Sequence, residues 1–311
     1  MRVIKRTQIN RRVPIGRRIY AANWECVLTL VLCMFATLAV GAPQDKPATP
    51  AEKYQALLKE RQDGPEESSK ATTAEERKQT QARLAKLPQR FFELAEQNPN
   101  DPVALEALIQ TVSVVNGTAF PVGGKGSLDE RALALLRRDH VQSEKLGLVC
   151  QHVLFGFHKS HEEFLRAVLE LNPRAEVQGL ACLSLAQYLN DRLNRLELLP
   201  GQPELVERYH RVFGKEYVEQ LQRQDRAAVS KEAELLFDRA AEKYGDVKIP
   251  VTYYGSGGTI REKAEAELFQ IRHLAVGKVA PEIEGEDQEG KHFKLSDYRG
   301  KVVLLDFWYR L

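Results

Sequence analysis

The chain has 311 residues, 43% apolar and 28% charged, with 45 Lys and Arg against 43 Asp and Glu for a net charge of +2. That length fits two domains, or one helical array with a smaller unit, and the apolar share supports a substantial core and excludes disorder throughout. Four cysteines in a chain this long exclude a disulfide-stapled miniature fold.

The positive charge is concentrated at the start. Residues 1–42 hold Arg2, Lys5, Arg6, Arg11, Arg12, Arg17 and Arg18 against the single acid Glu25, a charge of +6 that leaves −4 on residues 43–311. Cys26 to Val40 then runs fifteen residues without a charge and leads into Val40-Gly41-Ala42, a small-x-small cleavage pattern. A basic stretch, an apolar stretch and a small-residue end predict a secretory signal. An uncleaved anchor stays open, although fifteen residues fall short of the ~20 of a spanning helix. Both readings place the body outside the cytoplasm, periplasmic or tethered to the outer face of the cytoplasmic membrane, with membrane contact through this segment only. Cleavage would remove Cys26 and Cys33, leaving Cys150 and Cys182 where a disulfide is permitted. The acidic remainder, with Arg137-Arg138 an isolated pair, excludes nucleic acid as a partner.

Residues 43–72, rich in Pro, Ala, Glu, Lys and Ser, predict a linker with one short helix around Lys53–Lys59. Residues 73–275 predict an α-helical domain. Thr73 with Glu76, Ser160 with Glu163 and Thr259 with Glu262 fit the capping box, and Asp101-Pro102 is a further start signal. Apolar residues recur at three and four, as in Leu84, Leu87, Phe91 and Leu94. Breaks fall at Asn98-Pro99-Asn100, Asn116-Gly117, Asn172-Pro173, Leu199-Pro200-Gly201 and Gly255 to Gly258. Between 175 and 187, Gly179, Ala181, Ser184 and Ala186 put small residues along one helix, which lets a neighbour approach closely. No fixed repeat period is present, so the expectation is a helical array or irregular bundle.

Within this part, Cys150, His152, His158 and His161 suggest a metal site, but residues two apart point ~200° apart on a helix, so Cys150 and His152 do not converge. Surface or capping histidines are the favoured reading. Cys150 and Cys182 stand in apolar helical contexts and read as buried free thiols, with a disulfide between them left open. Gly123-Gly124-Lys125-Gly126-Ser127 has the composition of a phosphate loop without its spacing. No metal or cofactor is expected.

At Gly277 the pattern changes. Val279–Ile283 reads as a short extended piece, Asp287–Gly290 as a turn and Lys291–Leu295 as a half-exposed strand. Val302–Trp308 is an apolar run with one acid, Asp306, which predicts a strand buried on both faces. Three stretches here, Gly277 to Pro281, Leu295 to Lys301 and Val302 to Trp308, resemble the start of a redoxin domain. The likeness is to the exported TlpA/ResA-type thiol–disulfide oxidoreductases of the thioredoxin superfamily, with peroxiredoxins as runner-up. The preceding helical part resembles, more loosely, extensions found before such domains. The resemblance implies a mainly α chain whose residues 276–311 are the first strands of a thioredoxin-like α/β domain, and Asp306 as the acid that serves the resolving cysteine. It also implies partners that are disulfide-bearing exported proteins or a membrane thiol reductant. The family's Cys-x-x-Cys, whose first thiolate attacks a substrate disulfide, would begin just past Trp308, and Tyr309-Arg310-Leu311 follow instead. The expectation is therefore a C-terminally truncated relative, inactive alone. The other reading is a helical interaction scaffold with a protein partner.

Overall fold

The computed structural model describes residues 47–116, 126–153, 157–251, 257–287 and 289–306. The leader predicted over 1–42 and most of the Gly123–Ser127 loop lie outside these. The protein is mainly α-helical, ending in a two-stranded hairpin. From Pro50 onward it forms one compact unit. No helix among the described residues is long and apolar enough to cross a membrane.

Helix α1 (Pro50–Lys70) replaces most of the linker expected over 43–72. Its apolar residues Tyr54, Leu57 and Leu58 are spaced three and four apart, so one stripe can be buried. The Tyr54 ring meets Phe91 edge-on at 5.9 Å. Gly64-Pro65, within the stretch expected to be linker, lies inside the helix, and Gly64 is buried against Leu84. Helix α2 (Ala74–Leu84) opens on the expected capping box: the Thr73 hydroxyl accepts from Glu76 N–H at 3.2 Å and the Glu76 carboxylate accepts from Thr73 N–H at 3.1 Å. Ala85-Lys86 separates it from α3 (Leu87–Gln97), which has Pro88 in its first turn, so Leu84 and Leu87 belong to different helices.

Asp101 accepts from Val103 N–H at 2.9 Å and starts α4 (Val103–Asn116). The array continues through α5 (Leu128–Asp139), α6 (Leu146–His152), α7 (Lys159–Leu171) and α8 (Ala175–Glu197). The capping box expected at Ser160 and Glu163 is not formed. Helix α7 already begins at Lys159, which makes His158 the capping residue and draws Ser160 inside the first turn.

Helix α8 is the centre of the core, burying Ala181, Cys182, Leu185, Ala186 and Leu189. Around it pack α6, α7, α11 (Arg226–Tyr244) and α12 (Ile260–Phe269). The small residues do what their spacing predicts. A Cβ on Gly179 would come within 2.7 Å of Tyr244 Cβ, so only glycine allows α11 this close. The intervening hairpin, α9 (Pro203–Phe213) and α10 (Lys215–Gln222), closes a separate small core of Phe157, Leu196, Leu199, Val218 and Leu221. Thr259 and Glu262 form the expected capping box of α12.

Beyond α12, β1 (Glu284–Glu286) pairs antiparallel with β2 (His292–Lys294), Gly285 opposite Phe293. A 3-10 turn over Leu295–Tyr298 follows. The strand expected over Val302–Trp308 is not formed within its described part, residues 302–306. These residues join no ladder, and Val302 and Leu304 are 103% and 93% exposed. An apolar run becomes a buried strand only when neighbouring strands cover it, and no described element does.

Candidate functional site

The redoxin-like segment is tied together by local bonds. Leu295 N–H donates to Ile283 C=O at 2.9 Å, Ser296 N–H to the Glu282 carboxylate at 2.9 Å, and Lys294 pairs with Glu284 at 2.6 Å. The bonds from Ser296 hold the Glu282 carboxyl below the usual carboxylate range. Asp306 is exposed rather than set in the buried strand where the accessory-acid reading needs it.

Cys150 and Cys182 are both buried and both free, so the disulfide left open above is not made. Burial pushes the Cys150 thiol far up, and pushes Cys182 up to about 11 against the milder pull of Arg239 and Lys243. The Cys182 thiol donates to Leu236 C=O at 3.4 Å. Thiol exchange proceeds through a thiolate with access to its target, and neither sulfur meets that requirement.

His158 and His161 belong to a buried polar seam between the main core and the small core under α9 and α10. Asp129, in the first turn of α5, is 2% exposed, and its Oδ2 lies 3.1 Å from His161 Nε2. An ionised carboxylate only accepts, so Nε2–H of His161 is the donor. The Ser127 hydroxyl donates to the other carboxylate oxygen. Burial alone would raise the Asp129 pKa, but the bonds from His161 and Ser127 outweigh it and bring the carboxyl down to about 2. The His158 ring stands 5.0 Å from the His161 ring and 4.9 Å from that of Phe213 on α9. Its backbone C=O accepts from Tyr188 Oη at 2.7 Å. Burial, with the neighbouring His161, depresses the His158 imidazole to about 4. Among the described residues, Nε2 of His158 and Nδ1 of His161 have no hydrogen-bond partner. Nearby, Arg192 of α8 is 3% exposed in its side chain and donates to Glu162 at 2.6 Å. Glu162 also accepts from Arg166 at 2.8 Å, and Arg166 reaches Glu232 of α11 at 2.7 Å. Burial pushes the Glu162 carboxyl up, and the two arginines more than reverse it. This network ties α7, α8 and α11 together. Of the residues considered for a metal, Cys150 and His152 sit on α6 and the two histidines on α7 or its cap. Sequence reasoning missed Asp129 and Arg192, whose partners stand 32 and 30 positions away.

A cleft of about 790 Å³ opens on the array where α4, α6, the start of α8 and the segment after α11 meet. Its floor is apolar, from Ile109, Val177 and Leu180, with Leu148 half-exposed at the side. Gly147 allows this floor to close, since a Cβ there would stand 2.7 Å from Leu180 Cδ1. Asn172 fixes one rim: its amide donates to Val141 C=O and Ser143 C=O at 2.8 and 2.9 Å, and its Oδ1 accepts from Arg174 N–H at 3.0 Å. The loop carrying Glu144 and Lys145 is thereby fastened to the turn before Glu176. The opposite rim, residues 245–250, is pinned to the start of α12 by Ile249 N–H to Gly258 C=O at 2.9 Å and Ile260 N–H to Val247 C=O at 3.0 Å.

The chain is similar to the thiol–disulfide oxidoreductase ResA of Geobacillus thermodenitrificans, 51% identical over 35 residues. The match covers 11% of this chain and 20% of ResA, so the chain spans about a fifth of the length of that relative. No family model matches the chain. No solved structure matches it.

Proposed function

We propose that this chain is an exported protein of the thioredoxin-like oxidoreductase class, in which a helical array precedes a redoxin-type segment. The observation that carries this reading is the 35-residue likeness to ResA. Its length fits residues 276–308, where the Gly277–Pro281, Leu295–Lys301 and Val302–Trp308 stretches stand. The basic, apolar and small-residue order of residues 1–42 supports export. None of the four cysteines stands in a Cys-x-x-Cys, and the two described thiols are buried. The chain of 311 residues therefore carries out no disulfide exchange by itself.

Two measurements test this. In an insulin-disulfide reduction assay with dithiothreitol, the purified chain is expected to match the protein-free control, and turnover above it would sink the inactivity claim. A chimera in which residues 1–308 are continued by the part of ResA after its matched stretch is expected to reduce insulin. A folded but inactive chimera would remove the oxidoreductase assignment. A second reading, that the array is a binding scaffold, is supported by the pre-formed cleft on its surface.

A further inference from the structure

We propose that the α9–α10 hairpin is an acid-released cover over His158, shut while that ring is neutral and opened by its protonation. The device rests on neither reading of the protein's function. Three observations carry it.

The first is how lightly the hairpin is held. Its two helices pack chiefly on each other. No residue of α9 is fully buried, and α10 buries only Val218 and Leu221. Glu219 pairs with Lys215 and Arg223, so these ion pairs stay within the hairpin and the turn that follows it. The chain enters through a turn at Pro200-Gly201 and leaves through another at Arg223, which gives the cover two hinges. The small core seals it, with the Phe157 ring 5.0 Å from that of Tyr209 and 5.2 Å from that of Phe213.

The second is where the ring sits. His158 belongs to the array, yet the Phe213 ring of the cover lies 4.9 Å from it. Its Nε2 is buried with no hydrogen-bond partner among the described residues. The nearby carboxylate, Asp129 of α5, is already engaged by His161 and Ser127. On the α8 side, Arg192 is held by Glu162, and the Tyr188 hydroxyl donates to the His158 carbonyl. The hairpin brings Tyr209 beside Arg195 and Tyr217 beside Arg192, and His210 of α9 carries a second buried Nε2 without a partner. Among the described residues, a proton on His158 therefore meets no free anion while the cover is shut.

The third is the sign of the linkage. Burial and the neighbouring His161 depress the imidazole to about 4, against 6.5 for a free ring. The open form takes up the proton more readily, so acid favours it. Between pH 6.5 and about 4 the open-to-closed ratio rises about tenfold per unit. Asp129, brought down to about 2, stays ionised throughout that range. Opening uncovers Phe157, Leu196 and Leu199 on the array and Val218 and Leu221 on the hairpin, so this apolar surface is presented in mild acid alone.

The test cuts the full chain with a glutamate-specific endopeptidase at pH 7.5, 5.5 and 4.5, with rates normalised to an unstructured peptide at each pH. Mass spectrometry locates the cuts. Glu204, Glu207, Glu216 and Glu219 lie on the cover, whereas Glu170 and Glu234 lie on α7 and α11 of the array. Cleavage that follows the open population should rise about 50- to 100-fold at the cover between pH 7.5 and 4.5. Glu170 and Glu234 should stay uncut. His158→Leu should flatten the rise, while His210→Gln should leave it in place. If His158→Leu loses its helical circular dichroism, His158→Gln replaces it, with the same flattening expected. No rise at the cover, an equal rise at Glu170 and Glu234, a rise that survives in the His158 variant, or its loss in His210→Gln would each overturn the proposal.

Discussion

His158 makes stability depend on pH in a window that can be stated in advance. Its imidazole, 8% exposed against Phe213 and His161, ionises at about 4 in the folded protein, against 6.5 for the free side chain. The folded state therefore demands the neutral ring, whereas the unfolded chain takes up a proton below pH 6.5. The stabilisation from keeping His158 neutral is complete above pH 6.5 and is lost as pH falls from there toward 4. At about 1.4 kcal/mol per pH unit across that window, the loss comes to about 3 kcal/mol. Urea unfolding followed by far-ultraviolet circular dichroism at pH 7.5, 5.5 and 4.5 reads it directly. His158→Leu removes the titrating ring and retains an apolar side chain against Phe213. Its stability relative to the wild type should improve on acidification, by about 2 kcal/mol between pH 7.5 and 4.5. Asp129 titrates lower, from 3.8 toward about 2, so its contribution is lost only below this window. Parallel pH profiles for wild type and His158→Leu would refute the reasoning, because they would mean that the seam admits a proton at no cost.

Two further substitutions probe the packing around α8. Gly179→Ala places a methyl 2.7 Å from Tyr244 Cβ and 2.9 Å from Ile260 Cδ1, and forcing α11 and α12 away should cost about 1–3 kcal/mol in urea unfolding. A stability within error of the wild type would show that α11 yields freely there. Arg192→Met leaves Glu162 with Arg166 as its remaining partner in a largely buried position, and should cost about 3 kcal/mol. Adding Glu162→Gln should recover part of that loss in a double-mutant cycle, and strict additivity of the two changes would deny their coupling.

Local chemistry was the legible part of the sequence. The boxes at Thr73 and Thr259 need only residues three apart, and both form as spaced. The box at Ser160 fails because His158, held by Tyr188 Oη on its carbonyl, begins the helix earlier. No rule of local spacing contains that contact from α8. Helix α1 was hidden by composition: Gly64-Pro65 and the charged residues read as a linker, while Tyr54 and Leu57 find their burial only against α3 and its neighbours. The pairing of Asp129 with His161 and that of Arg192 with Glu162 were invisible for a related reason. Each residue alone is unremarkable on a helix, and the partner lies a helix or two away along the chain. The run Val302–Leu305 is the converse case. It reads plainly as a strand, yet its state depends on the strands set beside it.

The separate core beneath α9 and α10 has a kinetic meaning. Phe157, Leu196, Leu199, Val218 and Leu221 are buried together without joining the main cluster, so this hairpin can open while the array around α8 stays closed. Amide exchange should then divide the molecule, with α9 and α10 releasing their protons well before the middle of α8. Tyr209 and Tyr217 sit in that opening unit, so their emission becomes a reporter of its subglobal opening.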